Sequence, residues 1–322
     1  MTSTVRPATW KLLLAFAIIY LVWGSTYLAI RIGVREIPPF LMAGLRFTVA
    51  GLAMWAWMRG TGTPSPTLRE WRDATVLGTL MFLIDYACLF WAEQRVPSGI
   101  AAVILAMIPV CITLLEIIFL RTQRLSLRLA SGLAVGIIGV VVLTNPWASS
   151  GEASINRGGV IALLVSCCGW SIGTIVTQRL TLPASKPMSA AAQMLSGGIQ
   201  LLVLAAVTGE FTHFRAQNIS ASAWLSLVYL IIAGSIIGYT AYVWLLHYES
   251  PTRVGTYAYV NPVVAVILGA TLGGEVMGRR TIAGTALIVI SVIAITTIKR
   301  KQSNPERLQL SGHARLELAA DD

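Results

Sequence analysis

The feature that most constrains this chain is a series of apolar stretches of about 20 residues, separated by short charged loops. A helix needs about 20 mostly apolar residues to cross the roughly 30 Å of hydrocarbon in a bilayer. The composition agrees: 56% of the 322 residues are hydrophobic and 12% are charged, more apolar surface than one soluble core can hide. We predict an all-α membrane protein with ten transmembrane helices, at approximately 12–30, 39–58, 74–92, 99–120, 127–145, 158–177, 188–208, 223–245, 252–273 and 281–298.

The positive charge is distributed as expected for membrane topology rather than for nucleic-acid binding. The formal net charge is +10, but the basic residues are concentrated in alternate loops. By the positive-inside rule those loops are cytoplasmic, so we expect both termini in the cytoplasm and no nucleic-acid partner. Residues 1–10 then form a cytoplasmic N-terminus, and the polar segment 302–322 a mobile cytoplasmic tail.

The cysteine and histidine residues indicate neither a metal site nor a cofactor. The four cysteines fall within predicted membrane helices, where a thiol usually behaves as a small apolar side chain. The three histidines are scattered through loops and the tail, and the chain has no P-loop or hydrolase motif. We predict no catalytic residues.

The two halves of the chain resemble each other. The segment LAMIPVCITLLE at 105–116 aligns with AYVNPVVAVILG at 258–269. Earlier helices align as well, which indicates two five-helix repeats, at 11–146 and 158–299. The matched pairs include Pro109 with Pro262, Tyr86 with Tyr239, Trp23 with Trp170, and Gly51 with Gly198.

Because five helices are an odd number, the second repeat would enter the membrane from the opposite side. Inverted repeats of this kind belong mainly to transporters that work by alternating access around a central cavity. A proline inside a membrane helix frees a carbonyl and is tolerated where neighbours or a water-filled cavity satisfy it. We therefore predict Pro109 and Pro262 as hinge positions at the cavity, although prolines are also frequent in membrane helices generally.

Three ionisable residues are candidates for an intramembrane ion pair or for energy coupling. Asp85 and Arg46 are predicted at similar depth near the midplane, where an unpaired charge is costly, so a buried pair between them is expected. Such a pair would lock two helices together; alternatively, Asp85 contacts a substrate amine or carries a coupling proton. Glu93 is predicted at the external mouth of helix 3 as a solvated interface residue, with a proton relay as the alternative.

Polar and aromatic side chains in the matched helices are candidates for a cavity wall. Tyr239 and Tyr242 are three residues apart and share a helix face, and Tyr259 and Asn261 adjoin Pro262. Ordinary packing is the alternative for each. The predicted cavity residues are Trp23, Asp85, Tyr86, Trp170, Tyr239, Tyr242, Tyr259 and Asn261.

Two segments resemble the EamA-type exporters of the drug/metabolite transporter superfamily: WGSTYLAIRIGVREIPPFLMAGLRF at 23–47 and AEQRVPSGIAAVILAMIP at 92–109. The resemblance implies a ten-helix bundle in the bacterial inner membrane, with a central cavity, that exports small metabolites such as amino acids, or toxic compounds. The family's usual acidic residue after helix 4 is Gln123 here, whereas its second-half counterpart is Glu275.

The function expected from the sequence is export of a neutral or zwitterionic, amino-acid-like solute. The expected partners are that solute and the lipid bilayer, and a monomer is expected. A sugar-phosphate or nucleotide-sugar exchanger of the same superfamily is one alternative, but Arg46 is the one cation predicted at the midplane. An intramembrane enzyme or a passive channel are alternatives of other classes. Proton coupling and facilitated diffusion both remain open.

Overall fold

The computed structural model describes residues 7–120, 126–144, 155–249, 254, 256–276 and 278–296, and within these ranges the regular elements are helices. Seven of the described helices are long and apolar enough to cross a membrane, and shorter apolar helices accompany them. The tail at 302–322 and Gln123 lie outside the described residues. We number the long helices α1 (Thr9–Gly33), α2 (Pro39–Gly60), α3 (Leu68–Glu93), α4 (Ser98–Phe119), α5 (Leu127–Thr144), α6 (Arg157–Thr177), α7 (Lys186–Val207), α8 (Ala221–Leu245), α9 (Tyr257–Thr271) and α10 (Arg279–Thr296).

Large apolar side chains cover the outside of the bundle. Leu13, Leu21 and Ile267 are 64%, 59% and 51% exposed, and many more residues of this kind surround them. A soluble monomer rarely exposes a continuous apolar surface of this extent. The prediction of an all-helical membrane protein is therefore confirmed.

The contacts between helices follow the same pattern in the two halves of the chain. A helix of the first half and the helix five places later in the chain pack against corresponding neighbours. Helix α1 packs on α8 and α9, and α6 packs in the same way on α3 and α4. Helix α2 packs on α7, and α5 packs on α10. Two halves of similar fold would produce this pattern.

Close approach of α2 and α7 requires glycine at the crossing. A Cβ atom on Gly51 would lie 2.6 Å from the backbone nitrogen of Leu195, and one on Gly198 would lie 2.5 Å from that of Thr48. Because the contacted atoms belong to the backbone, they have little freedom to move away. The two glycines matched in the sequence thus lie at one interface.

Helices α3 and α8 are interrupted at corresponding places. Each contains a π-helical segment, Gly78–Ile84 in α3 and Leu230–Ile237 in α8. Segments of this kind are rare and frequent at functional sites, because they turn the following side chains relative to a regular helix. Asp85 follows the first segment directly, and Tyr239 lies two residues after the second.

The two matched prolines differ in their effect on the helix. Helix α4 breaks at Ala106 and Met107, so that Pro109 falls in the first turn of the new segment Ile108–Leu115. Helix α9 instead continues through Pro262. Pro262 is the sixth residue of its helix. Few backbone hydrogen bonds of the helix precede this position, so the proline can disturb few of them. The prediction of a hinge at either proline remains a prediction.

Candidate functional site

Arg46 lies inside the bundle with one donor left unused. It is 3% exposed, and its Nε donates to the hydroxyl of Ser235, in the π segment of α8, at 3.0 Å. Its Cζ lies 4.7 Å from the ring centre of Phe47 and 5.3 Å from that of Tyr86. Its Nη1 is buried and has no hydrogen-bond partner in the described part of the chain. A buried donor of this kind normally has a partner, and a water molecule or a ligand would supply one.

Asp85 is 2% exposed and accepts a hydrogen bond from the Ser166 hydroxyl of α6 at its Oδ1. Both Asp85 and Arg46 lie in the described part of the chain, and no ion pair joins them there. The predicted pair is therefore wrong. The two residues were predicted at similar depth, but each side chain instead bonds to a serine of the other half of the chain, Arg46 to Ser235 and Asp85 to Ser166.

Glu93 is fully buried, with 0% exposure, and neither carboxylate oxygen has a partner among the described residues. The expectation of a solvated residue at the external mouth is therefore wrong. The reason is that Arg31 of α1 closes over the end of α3, where its Nη1 donates to the carbonyl oxygens of Glu93 and Val96, both at 2.6 Å. The neighbouring Arg95 is exposed and stacks on Trp91.

Aromatic side chains from α1, α8 and α9 form one cluster. The ring centre of Trp23 lies 5.3 Å from that of Tyr242 and 5.0 Å from that of Tyr257. Tyr239 and Tyr242, predicted to share a face, are in contact with ring centres 6.0 Å apart. The indole nitrogen of Trp23 donates to the carbonyl oxygen of Gly234 at 3.1 Å, which ties α1 to the π segment of α8.

Tyr86, the repeat partner of Tyr239, belongs to a separate cluster. Its ring centre lies 4.4 Å from Phe47, 6.0 Å from Phe82 and 6.1 Å from Phe90. This cluster carries the Arg46 guanidinium on its surface. Among the described residues, no ring contact joins this cluster to the one around Trp23.

The remaining predicted cavity residues are placed as follows. Trp170 is half-buried on α6 and has no ring contact with either cluster within the described ranges. Tyr259 is two residues from Tyr257, about 200° around the helix, and packs against the main core instead. Asn261 is 7% exposed. With its side-chain amide turned so that the nitrogen faces these acceptors, that nitrogen donates to the carbonyl oxygens of Tyr257 and Tyr20, both at 3.2 Å.

Four tyrosines of these helices, Tyr27, Tyr86, Tyr239 and Tyr257, are half-buried. Tyr27 and Tyr257 were not among the predicted cavity residues, although Tyr257 lies four residues before Asn261 and therefore on its helix face.

Glu275, in the loop between α9 and α10, joins several elements at the end of the bundle where α4 begins. Its carboxylate accepts hydrogen bonds from the backbone nitrogen and hydroxyl of Ser98, at 2.7 and 2.8 Å, and from the nitrogen of Gly99 at 3.1 Å. Arg31 pairs with the same carboxylate at 3.3 Å. The resemblance to EamA-type exporters drew attention to Glu275 in the sequence, but it did not predict which residues Glu275 contacts.

Two further carboxylates cap helices from neighbouring loops. Glu36 accepts from the hydroxyl and nitrogen of Ser220 at 2.7 and 2.6 Å, and these bonds lower the pKa of Glu36. Glu210 accepts from the nitrogens of Phe40 and Leu41 at 3.4 and 2.7 Å. Burial raises the pKa of Glu210 despite these bonds. Carboxylates are favourable here because they satisfy free N–H groups at a helix start.

A groove of about 440 Å³ between α1, α8 and α9 is lined almost entirely by apolar side chains, including the exposed Leu21 and Ile267. Its hydroxyl groups, on Ser25 and Tyr229, bond to each other at 2.6 Å. The groove therefore offers little polar recognition, in contrast to the surroundings of Arg46, whose Nη1 has no partner among the described residues.

Comparison with known proteins agrees with this architecture. The model of the EamA-like transporter family matches the chain at residues 10–145 and again at 157–297. An inner membrane transporter, YedA of Escherichia coli K12, is 38% identical over 280 residues, which cover 86% of this chain and 88% of YedA. A probable amino-acid metabolite efflux pump of Salmonella typhimurium LT2 is 27% identical over 278 residues, covering 84% of this chain and 90% of the pump.

A solved crystal structure shares the fold, with a TM-score of 0.60 at 21% identity, and the match covers 92% of this chain and 100% of the other. The resemblance drawn from the two sequence segments is confirmed by the family match. This chain is a multi-pass membrane protein that belongs to the EamA-like transporter family.

Proposed function

We propose that the protein is a secondary transporter of the bacterial inner membrane that exports small neutral or zwitterionic metabolites by alternating access. The observation that supports this most is the set of half-buried tyrosines, Tyr27, Tyr86, Tyr239 and Tyr257, together with the buried Arg46, whose Nη1 has no hydrogen-bond partner among the described residues. Rings and hydroxyl groups together suit a small solute with both apolar and polar parts. The named relatives are an inner membrane transporter and a probable efflux pump.

The charge of the interior favours this cargo over a phosphorylated one. Recognition of a phosphate normally uses several cations or a dense set of donors. Among the described residues, Arg46 is the one cation counted as buried, and two buried carboxylates, Asp85 and Glu93, lie within its electrostatic reach. A phosphate dianion would meet more negative than positive charge.

We further propose ten membrane helices arranged as two inverted repeats around a central cavity, with both termini in the cytoplasm. The two separate family matches and the exchange pattern of the helix contacts support this arrangement, as do the matched π segments. Pro109 and Pro262 would then bend corresponding helices, and one copy of the chain would suffice for transport.

Flux into sealed proteoliposomes tests the function. Purified protein should take up labelled amino acids or uncharged metabolites with saturation, and unlabelled solute inside should accelerate uptake of the labelled one. Linear, unsaturable flux would indicate a channel, and chemical conversion of the solute would indicate an enzyme. Either result contradicts the proposal.

Labelling of single cysteines tests the topology. After replacement of the four native cysteines, Ser65→Cys lies in the loop between α2 and α3, and Ala216→Cys in the loop between α7 and α8; both positions are exposed. An impermeant maleimide added to intact cells should label Ala216→Cys and spare Ser65→Cys until the membrane is opened. Equal labelling of both in intact cells would contradict an odd number of crossings between them.

A further inference from the structure

The groove between α1, α8 and α9 opens on the surface that faces lipid. Two of its lining residues, Leu21 of α1 and Ile267 of α9, are 59% and 51% exposed and belong to the apolar outside of the bundle. The groove volume of about 440 Å³ lies within the roughly 300–1,000 Å³ of pockets that hold small molecules. The groove is therefore large enough for an occupant, and the surrounding membrane can supply one.

The groove spans one leaflet of the bilayer. Leu21 lies twelve residues before Gly33, the end of α1, and Leu268 lies three residues before Thr271, the end of α9. At 1.5 Å per residue these positions are about 18 and 5 Å below that end of the bundle. Half of a hydrocarbon core of roughly 30 Å is about 15 Å. The groove therefore follows the depth that the acyl chains of one leaflet occupy.

The floor of the groove is formed by direct contacts between its helices. A Cβ atom on Gly24 would lie 2.6 Å from the Cβ of Val264, so α1 and α9 are in close contact there. Next to this contact, the hydroxyl groups of Ser25 and Tyr229 bond at 2.6 Å and join α1 to α8. The open side of the groove is therefore the side that faces lipid.

The floor has no hydrogen-bond donor to offer an occupant. The Ser25 hydroxyl donates to the carbonyl oxygen of Val22 at 2.8 Å, so Tyr229 supplies the proton of the bond between the two hydroxyls. The other lining side chains are apolar. A water molecule needs about two to four polar partners to occupy a cavity, and an empty groove would leave its apolar lining without van der Waals contacts. A hydrocarbon chain satisfies both conditions.

We propose that this groove binds one acyl chain of a membrane phospholipid, and that the bound chain stabilises this conformation of the protein. Helix α1 belongs to the first family match, and α8 and α9 belong to the second, so a chain in the groove packs against both halves. A ligand favours the conformation that binds it better. The chain would have to leave before α1 separates from α8 and α9, which makes the lipid a regulator of the proposed transport cycle. The regulatory effect rests on the proposed function, whereas the lipid site does not.

Photo-cross-linking of the full-length protein in proteoliposomes tests the site. The vesicles contain phosphatidylethanolamine and phosphatidylglycerol, and a small fraction of the phosphatidylglycerol carries a diazirine at the middle of one acyl chain. Cross-links mapped by peptide mass spectrometry should be at least about fivefold more frequent at Leu21 and Ile267 than at Val203 of α7. Val203 is the matched reference because it is 57% exposed and, like Ile267, lies four residues before the end of its helix. Equal frequencies would indicate ordinary annular lipid only and would overturn the proposal.

A variant that fills the groove tests its occupancy. Ile267→Trp introduces a larger apolar side chain and should lower cross-linking at Leu21 at least about fivefold, whereas Val203→Trp, the matched control, should leave it unchanged. Undiminished cross-linking at Leu21 in the Ile267→Trp protein contradicts the proposal. If Ile267→Trp does not fold, Ile267→Phe takes its place, and the cross-linking ratio of the unaltered protein decides independently of any variant.

Thermal unfolding in detergent tests the stabilising effect. Added phosphatidylglycerol should raise the melting temperature of the unaltered protein and of Val203→Trp equally, and that of Ile267→Trp by less than half as much. Equal rises in all three proteins would mean that the bound chain does not stabilise this conformation. Protection of Leu21 and Ile267 from cross-linking by a transported solute would identify the occupant as cargo and overturn the lipid site. Absence of saturable transport would contradict the proposed function alone, because cross-linking does not require transport.

Discussion

Replacement of Glu275 by glutamine should open the external end of the bundle. The carboxylate joins the α9–α10 loop to the first turn of α4 through three hydrogen bonds, and to α1 through Arg31. Glutamine keeps one acceptor oxygen for Ser98 but presents an amide donor to the nitrogen of Gly99. It also loses the charge that attracts Arg31.

The size of the effect follows from these contacts. Hydrogen bonds to a charged group contribute about 1.5–3 kcal/mol and neutral ones about 0.5–1.5, so weakening two and losing one costs roughly 3.5–6 kcal/mol before any allowance for solvent. The ion pair adds less than about 1 kcal/mol, because its side chains are 20% and 11% exposed. Allowing for partial solvation of all four contacts, we expect roughly 2–4 kcal/mol. At 1.4 kcal/mol per factor of ten, the population open to the outside rises about 30-fold or more.

The reactivity of Cys167 reports this opening. Cys167 is 0% exposed, and its thiol donates to the carbonyl of Ile104 at 3.4 Å, so it reacts only when the bundle opens. With the other three cysteines replaced by alanine, a small impermeant methanethiosulfonate added outside cells should label Cys167 at least about 30-fold faster in the Glu275→Gln protein.

Glu36→Gln is the matched control, since Glu36 also accepts from the nitrogen and hydroxyl of a serine, Ser220, at a helix start. It lies at the surface and makes no ion pair among the described residues, so labelling should rise less than about threefold. A Glu275→Gln protein of unchanged melting temperature, labelled within twofold of its parent, would refute the reasoning.

Three other outcomes are expected. Asp85→Asn should lower the transport rate tenfold or more with little change in melting temperature, because asparagine still accepts from Ser166; undiminished, still pH-responsive transport would rule out a functional role for Asp85. Gly51→Ala should lower the free energy of unfolding by about 1–3 kcal/mol through overpacking, whereas Gly60→Ala, with nothing within 4 Å of its added Cβ, should not; equal denaturation midpoints would contradict the close crossing. Because the folded-state pKa of Glu36 is lowered, the stabilisation that Glu36 contributes is present above its unfolded-state pKa and is lost as the pH falls through its folded-state pKa. Glu36→Gln should therefore make the free energy of unfolding less dependent on pH below about pH 4.5. An unchanged pH dependence would mean that the bonds to Ser220 do not form in solution.

The sequence predicted the elements of this protein well, because membrane helices are specified locally. A run of about 20 apolar residues must form a helix in lipid, since the backbone has no other hydrogen-bond partner there. The match of Gly51 with Gly198 was also visible in the sequence, and both glycines lie at the α2–α7 crossing. The family model matches the chain twice, at residues 10–145 and 157–297.

The partners of the interior side chains depended on tertiary structure. Position along a helix gives depth in the membrane, so the sequence placed Asp85 and Arg46 at one level, but it does not give rotation about the helix axis or the identity of the facing helix. The serines that bond these two residues, Ser166 and Ser235, come from the other half of the chain. Glu93 was predicted at the surface but is buried, at a helix end that Arg31, distant in the chain, binds through two backbone carbonyls. Local hydrophobicity therefore determined which segments cross the membrane, whereas the packing of segments far apart in the chain decided which charges were left without a partner.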